Sequence, residues 1–209
     1  MKRMRYLSHS FFMHMKIYIK PVLIVVAILV IDQLIKFWIK TNMYIGEEYT
    51  IFGNWFIIHF TENNGMAFGL ELGGNYGKLA LSLFRVFAVF GLGYIFHYVI
   101  KNKYHFGLIT CVSLILAGAL GNIIDSVFYG KLFGYAGLLH GRVVDMFYFP
   151  IIQGFYPDWV PGLGGQDFVF FRPVFNFADA AISVGVITII IFQSKFLNND
   201  LSKIEKDLN

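Results

Sequence analysis

The run PVLIVVAILVIDQLIKFWIK, Pro21–Lys40, decides what kind of fold this sequence can adopt. A helix needs about 20 mostly apolar residues to cross the ~30 Å hydrocarbon core of a bilayer, and this run has that length and character. Three more stretches qualify, roughly Leu79–Ile100, Phe106–Phe128 and Val174–Gln193. The composition agrees. Of 209 residues, 57% are apolar and 14% charged, and Phe alone occurs 24 times. Ordinary globular chains run near ~45–50% and ~25%. Disorder is excluded by the apolar surface available for burial, and a globule of this size could not hide that surface from water. The expected fold class is an all-α membrane protein: one four-span helical bundle, 1–209. Cys111 is the only cysteine, which excludes an intramolecular disulfide framework and a cysteine-built zinc site.

Lysine and arginine orient the bundle. The first 20 residues hold Lys2, Arg3, Arg5, Lys16 and Lys20 and no acid; the link between spans 2 and 3 holds Lys101 and Lys103; the tail holds Lys195, Lys203 and Lys206. Segments 1–20, 101–105 and 194–209 therefore read as cytoplasmic, with both termini inside and the long connections 41–78 and 129–173 outside. The net charge of +4 is membrane anchoring by this reading, and no soluble basic face offers a nucleic-acid site. Span 1 reads as retained, because it holds Asp32 and Lys36 and no A-x-A-like cleavage site follows. Met15 opens a more usual lead, MKIYIK, and is a candidate start.

The first outer loop contains two β-prone runs, Glu48–Phe52 and Trp55–Glu62, on either side of Gly53-Asn54. That dipeptide is a two-residue hairpin signal, so a small sheet is expected on the outer surface after span 1. Tyr49 and Trp55 suit a membrane interface. The second outer loop is apolar but broken by Pro150, Pro157, Pro161 and Pro173. It is no fifth span and is expected to lie in the interface.

Polar residues within apolar runs are functional candidates. Asp32 and Lys36 are i and i+4 on one helix and can pair. Asn122 and Asp125 are i and i+3 near the outer end of span 3, where Gly118, Ala119 and Gly121 permit close helix packing. Asn176 and Asp179 are i and i+3 in the first turns of span 4, where they also suit a helix start. Asp145 stands in GRVVDMFYF on the outer side. Each has an ordinary structural explanation, but four segments place their polar groups at one depth. Two carboxylates close together in an apolar setting share a proton. One can then activate water while the other protonates a scissile carbonyl. No Ser-His-Asp, G-x-S-x-G, H-E-x-x-H or Walker pattern competes.

Five stretches occur in order: Asp32-Gln33-x-x-Lys36, TENNGMAF (Thr61–Phe68), GNIID (Gly121–Asp125), VVDM (Val143–Met146) and FNFAD (Phe175–Asp179). Together they resemble the lipoprotein signal peptidases, the bacterial type II signal peptidases, over about Ile31–Val186. The resemblance implies a monomeric aspartyl endopeptidase of the bacterial inner membrane, active at the outer face without cofactor or metal. Its implied partners are membrane lipids and lipidated prolipoproteins, whose signal peptide it removes before a diacylglyceryl-modified cysteine. By motif, Asp145 and Asp179 are the implied catalytic dyad. Asp32, Lys36, Asn63, Asn122, Asp125 and Asn176 match supporting or substrate-binding positions. The implied fold, four helices with an outer β-cradle after span 1, agrees with the hairpin.

Three features depart from the family pattern. Ser126 stands where an arginine usually follows GNxxD, so whatever that arginine holds must be held otherwise. Met66 replaces a small residue, and Asp145 and Asp179 are 34 positions apart, further than usual. The added segment Ile151–Phe171 is aromatic, has prolines that prevent a continuous helix, and has Gly162, Gly164 and Gly165 as candidate hinges. It is expected to form an interfacial lid. The rival reading is a small proton-coupled transporter, though transporters favour midplane sites and repeated halves. A structural membrane-assembly subunit is a third.

Overall fold

Helix α1, Lys2–Asn42, carries the deciding run without interruption, and its first residues continue the helix of the first span. The computed structural model describes residues 2–64, 74–170 and 173–208. Three further long helices follow in chain order: α2 at Gly74–Lys101, α3 at Phe106–Ile124 and α5 at Phe177–Leu208. Between α3 and α5 the chain makes a π-helical turn at Asp125–Tyr129 and a short α4 at Gly130–Leu132. Among the described residues, four helical runs are long and apolar enough to cross a membrane: Lys16–Asn42, Tyr76–Lys101, Phe106–Leu132 and Phe177–Phe196. The fourth starts later than expected, because Val174 and Phe175 form a strand.

The helices do not share burial equally. Helix α3 is the central one, with Cys111, Val112, Ser113, Leu116, Ala117 and Gly118 all buried. Helix α2 turns Phe84, Phe87, Phe90 and Tyr94 outward, each about 70% exposed, as a lipid-facing surface would be. The small residues of α3 let its neighbours approach. A Cβ added at Gly121 would lie 2.5 Å from Asp32 Oδ2, and one at Gly118 would overlap the Ala178 carbonyl oxygen. Any larger residue there would separate the helices that carry the site.

At one end of the bundle lies a four-stranded antiparallel sheet, ordered β1-β2-β3-β6. Its strands are β1 Glu48–Phe52, β2 Phe56–Asn63, β3 Val143–Tyr148 and β6 Val174–Phe175. The first hairpin forms where Gly53-Asn54 signalled it, but Trp55 belongs to the turn. Phe52 pairs with Phe56, which leaves three residues in the loop, and Gly53 takes φ +50°. The larger correction concerns the second outer loop, which supplies half of the sheet. β3 was not apparent because Val143, Val144, Asp145 and Met146 are all buried, which erases the apolar–polar alternation of a half-exposed strand. Val144 and Met146 pack into a core with Ile39, Met43, Phe60 and Tyr129. Asp145, between them in sequence, points to the other face. An ion pair from Glu62 to Lys40 ties the sheet to the end of α1, and one from Glu62 to Arg142 ties β2 to the approach of β3.

The added segment is a separate hairpin, β4 Ile152–Phe155 paired with β5 Asp167–Phe170. Gly162 and Gly165 have φ of +77° and +74°, and they sit in the tip, where the backbone of Gly165 bonds that of Tyr156. They shape the turn and are badly placed to serve as hinges at its base. Phe171 lies outside the described residues, as does the GMAF portion of the second motif, Gly65–Phe68 with Met66.

Candidate active site

Strand β6 feeds directly into α5, and that junction brings the polar residues together. Asn176 caps the helix: its Oδ1 accepts from the Asp179 backbone N–H at 2.9 Å, and Asp179 Oδ2 accepts from the Asn176 backbone N–H at 3.4 Å. This reciprocal arrangement satisfies donors that a helix start leaves unpaired. The same Asn176 then reaches outward. Its Nδ2 donates to Asp145 Oδ1 at 2.6 Å and to Asn122 Oδ1 at 3.1 Å. Asn122 Nδ2 donates to Asp179 Oδ1 at 2.8 Å. Two amides on two helices therefore bridge two carboxylates that come from a strand and a helix 34 residues apart.

The carboxylates differ in setting. Asp145 is 3% exposed, whereas Asp179 is half-buried. Burial, and then the charge of Asp179, push the Asp145 carboxyl up to about 7, against the opposing pull of Asn176, Asn63 and Lys36. Asp145 is thus built to hold a proton near neutral pH. Asn63, on β2, reaches the carboxyl through the sheet, where Thr61 opposes Asp145 and Asn63 opposes Val143.

Beneath the pair lies a second, closed cluster. Lys36 Nζ is 2.9 Å from both Asp32 Oδ2 and Asp125 Oδ2, and all three side chains are at most 1% exposed. Its third contact is to Asn122 Oδ1, also at 2.9 Å. Asp32 Oδ1 accepts from the Ala178 backbone N–H at 2.9 Å, fixing the start of α5. Asp125 Oδ2 also accepts from the Val144 backbone N–H at 3.4 Å, fixing the strand that carries Asp145. All eight residues singled out in the sequence therefore fall in one connected site: Asp145, Asp179, Asp32, Lys36, Asn63, Asn122, Asp125 and Asn176.

Other members had weaker signals. Gln33 Nε2 donates to Asp32, to Asp125 Oδ1 at 3.0 Å and to the Gly121 carbonyl, while its Oε1 accepts from Tyr129. It lies inside the first motif, so the signal was present. Arg85 Nη1 donates to Ser126 Oγ at 2.9 Å. It lies near the start of the second span, and nothing in the local sequence ties it to Ser126.

Four apolar helices closing around hydrogen-bonded carboxylates describe a peptidase of the aspartic class set in a membrane. The chain matches the family model described as Signal peptidase (SPase) II over residues 24–195. It is 48% identical over 184 residues to the lipoprotein signal peptidase of Porphyromonas gingivalis, covering 80% of each chain. It is 38% identical over 185 residues to that of Amoebophilus asiaticus, covering 84% of this chain and 78% of that one. Among solved structures it resembles a bacterial membrane enzyme determined by the in meso method, with TM-score 0.59, 29% identity, and coverage of 86% of this chain and 90% of that one. The chain belongs to the lipoprotein signal peptidase family, and the transporter reading gives way to a membrane aspartic endopeptidase acting on prolipoproteins.

Proposed function

We propose that Asp145 and Asp179 are the catalytic pair that cuts the signal peptide from a prolipoprotein, just before its diacylglyceryl-modified cysteine. The observation that carries this is the bridge through Asn176 and Asn122, which holds one buried and one half-buried carboxyl in a single network. Asp179 accepts two N–H donors in the first turn of α5 and is the member open enough to meet water. It takes a proton from that water as the oxygen attacks the scissile carbonyl. Asp145, the proton holder, protonates the carbonyl oxygen. When the tetrahedral intermediate collapses, Asp179 passes its proton to the leaving amine, and the carbonyl re-forms as Asp145 recovers its own. Asn63, Asn122 and Asn176 orient the acids; Asp32, Lys36 and Asp125 hold the elements in place.

The sheet supports a substrate role as a cradle. Phe147 follows Asp145 on the same strand face, and Phe149 lies just past the strand's end. They join Phe56 and Phe175 in an aromatic patch in which Phe56 stacks on Phe149 at 4.8 Å. Such a patch suits an apolar chain entering beside the acids. The β4–β5 hairpin, with Ile151, Phe155 and Trp159 60–81% exposed, is read as a lid resting among headgroups. The placement of basic residues supports a reading with both termini in the cytoplasm and the site at the outer face; the enzyme is read as a monomeric single domain of the inner membrane.

The test is incubation of the purified protein with a diacylglyceryl-modified prolipoprotein in detergent. Release of the signal peptide, unchanged by chelator, is expected. Cleavage of unlipidated precursor at the same rate, or loss on chelation restored by metal, would contradict this reading.

A further inference from the structure

Helix α2 presents lipid-facing aromatics on one side and three polar residues on the other: Lys78, Ser82 and Arg85, at i, i+4 and i+7. Each is engaged at the outer end of the bundle. Lys78 Nζ donates to the Asn64 carbonyl at 2.7 Å, and Ser82 Oγ donates to the Leu139 carbonyl at 2.6 Å. Arg85 reaches furthest, to Ser126 Oγ, and that hydroxyl donates to the Asn122 carbonyl at 2.9 Å. Asn122 is the residue that bonds Asp179. Ser126 and the backbone and side chain of Asn122 therefore link the guanidinium to the half-buried acid of the pair.

Charge gives this contact a purpose. Four aspartates converge here, and the lysine among them spends its direct ion pairs on Asp32 and Asp125. Arg142 is paired with Glu62. Arg85 interacts through space with Asp179 first, then with Asp125 and Asp145, while Lys78 interacts with Asp125. Ser126 is the small hydroxyl that receives Arg85.

We propose that Arg85 is a positioning residue of this enzyme, a guanidinium delivered from α2 that faces the acid pair and sets its charge balance. The proposal rests on Asp145 and Asp179 being the reacting pair. The groups facing that pair are Asp32 and Lys36 on α1, Lys78 and Arg85 on α2, Asp125 and Tyr129 on the π turn, and Asn122, Asn176 and Asn63 as neutral donors. Removing the Arg85 cation makes the Asp145 carboxyl harder to ionise, so it loses its proton at higher pH.

The experiment measures kcat and KM on a diacylglyceryl-modified prolipoprotein from pH 5 to 9, for wild type, Arg85→Gln, Arg85→Met, Arg85→Lys and Asp179→Asn, with melting temperature recorded for each. In the neutral variants the descending limb of the pH–activity profile, set by Asp145, should move upward by about one unit, while kcat at the optimum falls about tenfold with little change in KM because Asn122 loses its support through Ser126. Arg85→Lys should return the profile to its wild-type position. A folded neutral variant with an unmoved profile overturns the proposal, as does failure of both neutral variants to fold, which would make Arg85 a structural strut. Full activity in Asp179→Asn would instead overturn the assignment of the pair itself.

Discussion

Asp32 and Asp125 close on Lys36, whereas Asp145 and Asp179 are bridged by amides. The first group has a matched cation, contacts within 2.9 Å and almost no exposure. Its carboxylates also hold backbone N–H groups of α5 and β3. The second group has neutral partners, one half-exposed member and a carboxyl pushed up to about 7. The same residue type thus serves two ends within one site. Acids paired with a lysine fasten helices; of the two acids held by amides, Asp145 keeps a proton that can move. The partner, a lysine or an amide, is what separates the two sets.

Breaking the first group should have the largest effect. Lys36→Met leaves two buried carboxylates without their cation, at a cost of about 3–5 kcal/mol. Thermal unfolding in detergent should show the loss, with activity disappearing along with the fold. Asp145→Asn should do the reverse, keeping the melting transition while cleavage falls by roughly 10²–10⁴-fold.

In the second group, Asp145 makes stability depend on pH. Folded Asp145 keeps its proton to about 7, while an unfolded aspartate releases it near ~3.9. Between those values the folded state binds more protons, so Asp145 makes stability decline as pH rises from about 4 to about 7. Activity that needs the protonated form should fall as pH rises further. Asp145→Asn should flatten its share of that stability slope, which a pH series of melting curves would detect.

Smaller effects should follow at the residues between the groups. Asp125→Asn and Asn122→Ala leave buried partners unsatisfied, costing roughly 1–3 kcal/mol each, and should lower turnover without abolishing it. An Asp125→Asn protein that is folded, binds substrate and is wholly inactive would move Asp125 into the chemistry. The smallest change is expected from replacing Ile151–Phe171 with a short polar linker. The bundle should stay folded while KM for lipidated substrate rises a few-fold; unchanged kinetics would make the hairpin a passive insertion.

How much of this the sequence discloses depends on how local each signal is. The spans are legible because 20 apolar residues in a row have few other uses. The β1–β2 hairpin is legible from Gly53-Asn54, although the turn takes Trp55 as well. Strand β3 is hidden by burial on both faces, and β6 is hidden by being only two residues long. The polar members of the site could be named one by one. Their division into two groups could not, because Asn122 and Asn176 acquire partners only when α1, α3, β3 and α5 meet. Arg85 is the extreme case: its contact with Ser126 crosses 41 positions.

The most direct measurement is signal-peptide release from a diacylglyceryl-modified prolipoprotein by purified Asp179→Asn, compared with wild type at equal melting temperature. Asparagine keeps the shape and the cap of α5 but cannot take a proton from water. The account predicts a folded, substrate-binding protein with no release above background. Wild-type turnover by that protein would contradict it.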